Sequence, residues 1–372
     1  MTDVLVVLLC VSLVGNALVL GLLLRLRTAS ARPQGSALES GLRGELRDAR
    51  REAAEAASLR RQLAELTRAA ADAADTAPPP GPGADSPAVP RELPLGRDAV
   101  ADSVVDGADL GPVVVRAASV RGDRHRVGKE HRRDAVRLRL LDGFGGPVLF
   151  SAVATGSPRG EWSRSGAERA CEGAIDQLDH FGRAVGDRLF DPAAAAEVKR
   201  VLQLAALGVA GSIRSLAREL DRTGTDGSAD DAAVETGLTC LLSRLGDGVR
   251  REHLAFGVGE GAVLRLRAGA WERVHDVAGV EQGRTALLPR DAERLTWTRF
   301  ESLPGDLVLV CSRPMADLLD RDDVGAWFAE RWQGRRPYLT TFLSDVNVRV
   351  RSPGEDRSVV ALWDYGATRS AN

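Results

Sequence analysis

The chain has 372 residues, enough for one sizeable domain plus extensions, and 44% are hydrophobic while only 4% are aromatic. Its core must therefore be packed from aliphatic side chains and alanine. Fifty basic residues balance 52 acidic ones for a formal net charge of −2, which excludes a whole-chain field drawing the protein to nucleic acid. The cysteines, Cys10, Cys171, Cys240 and Cys311, stand far apart with no C-x-x-C pair. Neither a disulfide framework nor a zinc ribbon is expected, and burial as free thiols is.

In chain order, the apolar run Val4 to Leu24 would span roughly 31 Å as a helix, which matches a bilayer core. Asp3 precedes it without any Lys or Arg, and no small-residue cleavage site stands before Arg25. This favours a retained anchor over residues 1–25 rather than a signal peptide. Arg25, Arg27 and Arg32 follow directly, so the positive-inside bias predicts a single-pass cell-membrane protein with its remaining domains in the cytoplasm. Residues 34–76 read as a helical stalk. Leu38, Leu42, Ala49, Ala56, Leu59, Leu63, Leu66, Ala70 and Ala73 recur at alternating three-and-four spacing, the pattern of a coiled-coil seam. Glu45 and Glu52 interrupt it, leaving two readings open, a homodimer through the stalk and a single solvated spacer helix. Residues 77–110, opening with APPPGPGADSPAVP, read as a Pro-rich linker.

Folding is expected to begin near Gly111, with PVVVRAASV as the first strand. A basic, irregular lead-in ending at Asp134 then precedes two strands joined by a Gly-rich turn, and a second loop opens at Thr155. Ser163 to Val185 and Pro192 to about Leu220 have helical spacing, the second with Asp191 as N-cap. Strands are predicted at Thr236 to Leu242, His253 to Val258, Ala262 to Arg267, Trp271 to Asp276, Leu307 to Cys311 and Ser358 to Trp363. Helices are predicted at Met315 to Trp332 and Tyr338 to Asn347. Antiparallel strands with grouped helices define an α+β layered domain over residues 111–366.

Several motifs fail on context. FGVGEGA around Glu260 is followed by a strand rather than the helix that dinucleotide binding requires. HRRD at His131 to Asp134 lacks the other kinase elements. Ser157 directly follows Gly156, which breaks G-x-S-x-G, and His125 and His131 are poorly spaced for helix-borne metal ligands.

The remaining pieces fall in a fixed order: Gly122, His125 and Gly128 before Asp134-Ala135; VLFSAVATG; Ser165-Gly166-Ala167; Thr236 to Leu242; Val258-Gly259-Glu260-Gly261; Leu303-Pro304-Gly305-Asp306 before LVLVCS; and Glu355-Asp356-Arg357-Ser358. In that order they resemble the metal-dependent type 2C (PPM-type) serine/threonine protein phosphatase family across some two thirds of the chain. The resemblance implies an α-β-β-α sandwich of two mainly antiparallel sheets flanked by helices. It also implies two Mn²⁺ or Mg²⁺ ions, held by carboxylates, that generate a hydroxide attacking a phosphoserine or phosphothreonine.

On that resemblance Asp134 keeps the first acidic position, and Glu355 or Asp356 the last, with a one-residue choice between them. Thr155-Gly156 stands where the family has Asp-Gly, and Ser312-Arg313-Pro314 where it has Thr-Asp-Gly. A hydroxyl cannot replace a bridging carboxylate, and a guanidinium repels a dication. The vestigial metal positions are thus Asp134, Thr155, Gly156, Glu355 and Asp356. Lys129, Arg159 and Arg313 are candidate phosphate-binding residues. The reading is a membrane-anchored, catalytically impaired type 2C phosphatase-like module that needs no cofactor and binds a phosphoprotein or signalling partner. Two alternatives stand beside it: an active Mn- or Mg-dependent phosphatase drawing on carboxylates such as Asp142, and a membrane-tethered scaffold.

Overall fold

The computed structural model describes residues 100–222, 230–246, 249–277, 280–281, 284–350 and 354–366, with eight positions between 44 and 58. The chain divides into two compact units, Met1–Ala77 and Pro78–Asn372. In the first, the described positions are helical and mostly exposed. The apolar run Val4 to Leu24 and the leucine and alanine seam lie outside the described residues. Among the described residues no helix is long and apolar enough to cross a membrane.

The second unit is built on two antiparallel sheets. One has the order β1 (Ser103–Asp109), β2 (Val113–Val120), β13 (Arg357–Asp364), β12 (Leu307–Cys311), β7 (Ala262–Arg267), β8 (Ala270–Asp276). The other has the order β11 (Thr296–Ser302), β6 (Arg251–Val258), β5 (Thr236–Arg244), β4 (Val148–Gly156), β3 (Ala135–Leu141). A two-stranded hairpin, β9 (Val280–Glu281) with β10 (Arg284–Thr285), stands apart. Helices α2 (Ser163–Gln177) and α3 (Ala195–Arg222) cover the second sheet. Helices α4 (Arg313–Leu319), α5 (Asp322–Trp332) and α6 (Leu339–Val346) cover the first.

The period-2 rule explains the layering. Every residue of β12 is buried, and its side chains alternate between two cores. Leu307, Leu309 and Cys311 face the helical layer of α4 to α6, while Val308 and Val310 face the other sheet. A continuous apolar strand is what burial on both faces demands. The few aromatics are concentrated rather than spread. Phe328, Trp332, Phe342 and Trp363 pack edge-on or tilted beneath α5 and α6, where ring quadrupoles favour such arrangements. Cys171, Cys240 and Cys311 are buried free thiols.

Between the sheets, the apolar core of Val115, Leu149, Val153, Leu241, Val310 and Val360 is closed at one end by ionic clamping. Arg251 on β6 donates to both Asp364 oxygens on β13, at 3.0 and 3.2 Å. Ser302 also donates to Asp364, at 2.8 Å. His253 bridges Ser243 and Ser302, each at 2.8 Å, and burial pushes its imidazole down to about 3, so it is neutral.

Four local expectations are corrected. β1 lies inside the stretch read as linker and pairs along its whole length with β2, so the sheet begins before Gly111; its mixed Asp, Gly and Val content hid an edge strand. The lead-in is helical, as α1 (Asp123–Gly128). β11, with every residue but Ser302 at least partly exposed, was missed because it alternates weakly. The single helix expected from Met315 to Trp332 is broken at Asp320 and Arg321, where Arg321 takes an extended conformation before α5.

Arg251 and Asp364 are almost wholly buried, so Arg251→Ala leaves a carboxylate unpaired in the interior. A loss of about 3–5 kcal/mol in unfolding free energy is expected by urea titration, and a loss under ~1 kcal/mol, the level of an exposed pair, contradicts the clamp.

Candidate functional site

A cleft of about 640 Å³ opens at the end of the sandwich opposite the Arg251 clamp. Register builds it. Ala135 pairs with Ala154 across β3 and β4, so Asp134, just before β3, comes beside Thr155 at the end of β4. The same register sends Asp142, exposed in the β3–β4 turn, to the far end of the hairpin. It is not available to this cleft.

Asp134 is buried at the cleft floor, 2% exposed. Its carboxylate ends an ordered chain of donors across the sheets. Arg132 donates to Ser119 Oγ at 2.7 Å, Ser119 and Ser358 hydroxyls are 2.7 Å apart, and Ser358 donates to Asp134 Oδ2 at 2.7 Å. Burial, and secondly the charge of Asp356, push the Asp134 carboxyl up to about 7.

Asp356 is held differently. Its Oδ1 accepts from Gly122 N and from His125 Nδ1, both at 2.8 Å, and its Oδ2 accepts from Arg133 N at 2.6 Å. Burial alone would depress the His125 imidazole, but the hydrogen bond to Asp356 and its charge outweigh that and raise it. His125 Nε2 also lies 3.6 Å from Glu355, and Arg124 reaches Glu355 at 2.7 Å. Both residues line the cleft, but Asp356 is buried with both oxygens engaged, whereas Glu355 is partly exposed and has a cationic partner.

Thr155 and Gly156 both line the cleft. Gly156 packs so closely that an added Cβ would sit 2.9 Å from the carbonyl oxygens of Arg133 and Ser163, so no larger residue fits without backbone movement. Ser312 turns inward and accepts from Ser358 N at 3.0 Å. Arg313 opens α4, half exposed, and pairs with Glu260 at 3.0 Å and Asp317 at 3.5 Å.

The three candidate phosphate-binding residues separate. Arg159 and Arg313 line the cleft, and Arg159 makes no ion pair among the described residues. Lys129 is exposed, caps α1 in the left-handed conformation and does not line the cleft. The helix of the lead-in turns it away, and Arg124 and Arg133 supply cleft guanidinium groups instead. The sequence reading of an irregular lead-in could not place them, because only the turn of α1 decides which of its side chains reach the cleft.

The residues present do not fit a dinuclear metal centre. Asp134 is tied to Ser358, Asp356 has both oxygens engaged by three donors, and Glu355 and Glu260 each face an arginine. Among the described residues no group of three or more His, Cys, Asp or Glu is arranged to hold a metal ion. Hard divalent cations need several carboxylate or water oxygens with free lone pairs.

Two antiparallel sheets between helical layers, with an acidic floor at one end of the sandwich, are the architecture of the type 2C protein phosphatase class. The family model for protein phosphatase 2C matches residues 121–344, and the chain belongs to that family. No curated protein matches it by sequence. It is similar to a bacterial serine phosphatase at 10% identity and TM-score 0.45, covering 68% of this chain and 98% of that one. It is also similar to the S. agalactiae serine/threonine phosphatase at 13% identity and TM-score 0.44, covering 70% and 99%. The Mycobacterium tuberculosis serine/threonine phosphatase PstP/Ppp matches at 17% identity and TM-score 0.37, covering 68% and 99%.

The raised Asp134 carboxyl has a stability consequence. Between about pH 4 and pH 7 the native state keeps a proton that the unfolded chain has lost, so stability falls as pH rises through that window. His125 acts in the same sense, contributing below its ordinary value near 6.5 and losing that contribution as pH rises through its higher native value. Asp134→Asn is expected to flatten the fall in urea midpoint measured from about pH 5 to pH 8. A wild-type midpoint that climbs over the same range contradicts the assignment.

Proposed function

We propose that this chain is a membrane-anchored type 2C phosphatase-like protein that has lost phosphoryl hydrolysis and works in the cytoplasm as a phospho-dependent binding or regulatory module. One observation carries the reading: at two positions where the family places metal-binding aspartates, the cleft presents the hydroxyl of Thr155 and the guanidinium of Arg313. The carboxylates that persist are engaged by protein donors, which supports loss of the metal centre.

The same cleft has the chemistry to recognise a phosphate monoester. Arg159 offers an unpaired guanidinium fork at the rim, and arginine matches phosphate oxygens two at a time. The partner is a phosphoserine- or phosphothreonine-bearing protein that meets the domain at the membrane surface. The N-terminal apolar run supplies the anchor and the helical stalk the reach. Confinement to the membrane would raise the local concentration of stalks and favour their pairing.

The full chain in detergent, given Mn²⁺ and a phosphothreonine peptide, is expected to show no phosphate release. It should bind the peptide equally well with and without chelator, and Arg159→Ala should weaken binding about tenfold, the worth of one charge-assisted contact. Metal-dependent turnover that disappears in Asp134→Ala would instead establish an active phosphatase. In a second experiment, Thr155→Asp combined with Arg313→Asp restores carboxylates at both altered positions and should confer Mn²⁺ binding, read by calorimetry, that the wild type lacks.

A further inference from the structure

Arg313 stands in the cleft but is not free. Its Nη1 lies 3.0 Å from Glu260 Oε1, and Thr285 donates its hydroxyl to that same oxygen. Glu260 sits in the turn between β6 and β7, and the turn is rigid. Gly259 has φ +133° and lies against Gly237 of β5, where an added Cβ would fall 2.8 Å from the Gly237 Cα. At Gly261 an added Cβ would fall 1.9 Å from Thr239 Oγ1. With the backbone on both sides pressed onto β5, the Glu260 side chain projects from a fixed point. It joins three elements that no backbone pairing connects at this place: the β6–β7 turn, strand β10 through Thr285, and α4 through Arg313.

A carboxylate held against a cleft arginine, with a hydroxyl donating to the same oxygen, has the partners of a bound anion. Asp317 contributes less, at 3.5 Å and largely exposed. Arg159, the other candidate cation, has no such intramolecular occupant.

We infer that Glu260 is a built-in competitor for the anion site: its carboxylate occupies Arg313 in the unliganded protein, and a phosphate group binds by displacing it and releasing Thr285. The inference rests on the reading of the cleft as a phosphate-binding site. It adds a regulatory element to that reading, because binding of the phosphate group and freeing of Thr285 become one event. The two states are linked through a single exchange of partners at Arg313, so whatever holds Thr285 on Glu260 weakens phosphate binding, and phosphate binding loosens Thr285.

The probe is inorganic phosphate, titrated calorimetrically into the full chain, with amide hydrogen exchange followed at Thr285. Glu260→Gln keeps the shape of the side chain and removes its charge. It is expected to bind phosphate about fivefold more tightly than the wild type, the worth of one partly exposed ion pair. It should also show faster exchange at Thr285 without ligand, as the wild type does when phosphate is added. Arg313→Ala should abolish both the gain and the coupling in the Glu260→Gln background. If the wild type binds phosphate but Glu260→Gln binds no more tightly, the competitor role is overturned while the phosphate-binding reading stands. If neither protein binds phosphate or the phosphothreonine peptide, the phosphate-binding reading falls and the competitor role falls with it.

Discussion

The structure depends on how carboxylates are buried at the two ends of a β-sandwich. A buried charge must be paired and hydrogen-bonded or neutralised, and each end solves this differently. At one end Asp364 meets Arg251 in a two-point ion pair, with Ser302 completing its shell. At the other, Asp134 is met only by a serine hydroxyl at the end of a chain that begins at Arg132, and Asp356 is met by two backbone N–H groups and His125. Both arrangements cross between the sheets, so they fix the sheets' relative position at each end while the valine and leucine core fills the middle.

That second arrangement also determines what the cleft can do. Lone pairs given to Ser358, His125, Gly122 N and Arg133 N are not available to a metal without rebuilding the floor. Where a cation would be expected to sit among carboxylates, the chain has placed its own cations: Arg124 on Glu355 and Arg313 on Glu260. The cleft is a mosaic of internally neutralised pairs with one unpaired guanidinium, Arg159, at its edge. The family's architecture is present around this site, and a fold by itself does not set what its site can do.

Much of this was legible in the residue order. The doubly buried strand LVLVC, the positive-φ turn at Ala268-Gly269, the Asp191 cap on the short helical turn Pro192–Ala194 that leads into α3 and the buried cysteines all follow from local pattern. The adjacency of Asp134 and Thr155 follows from a hairpin with a short turn, because antiparallel pairing returns the end of one strand to the start of the other. The edge strands β1 and β11 were not legible. Their sequences are mixed because one face or edge meets solvent, and only pairing with β2 and β6 makes them strands.

The sequence by itself pointed to the family and to most of its central strands, and it determined which side chains stand at Thr155 and Arg313, because identity at a position needs no coordinates. Only the tertiary structure decided which charges meet. Glu355 and Asp356 are neighbours in sequence and both line the cleft, yet Glu355 meets Arg124 while Asp356 is consumed by Gly122, His125 and Arg133, some 220 to 235 residues earlier. Lys129 and Arg159 looked alike as cations, yet the turn of α1 sends one outward and the end of β4 leaves the other at the rim. Hydrogen-bond partners are set by folding across long sequence separations, and no local pattern encodes them.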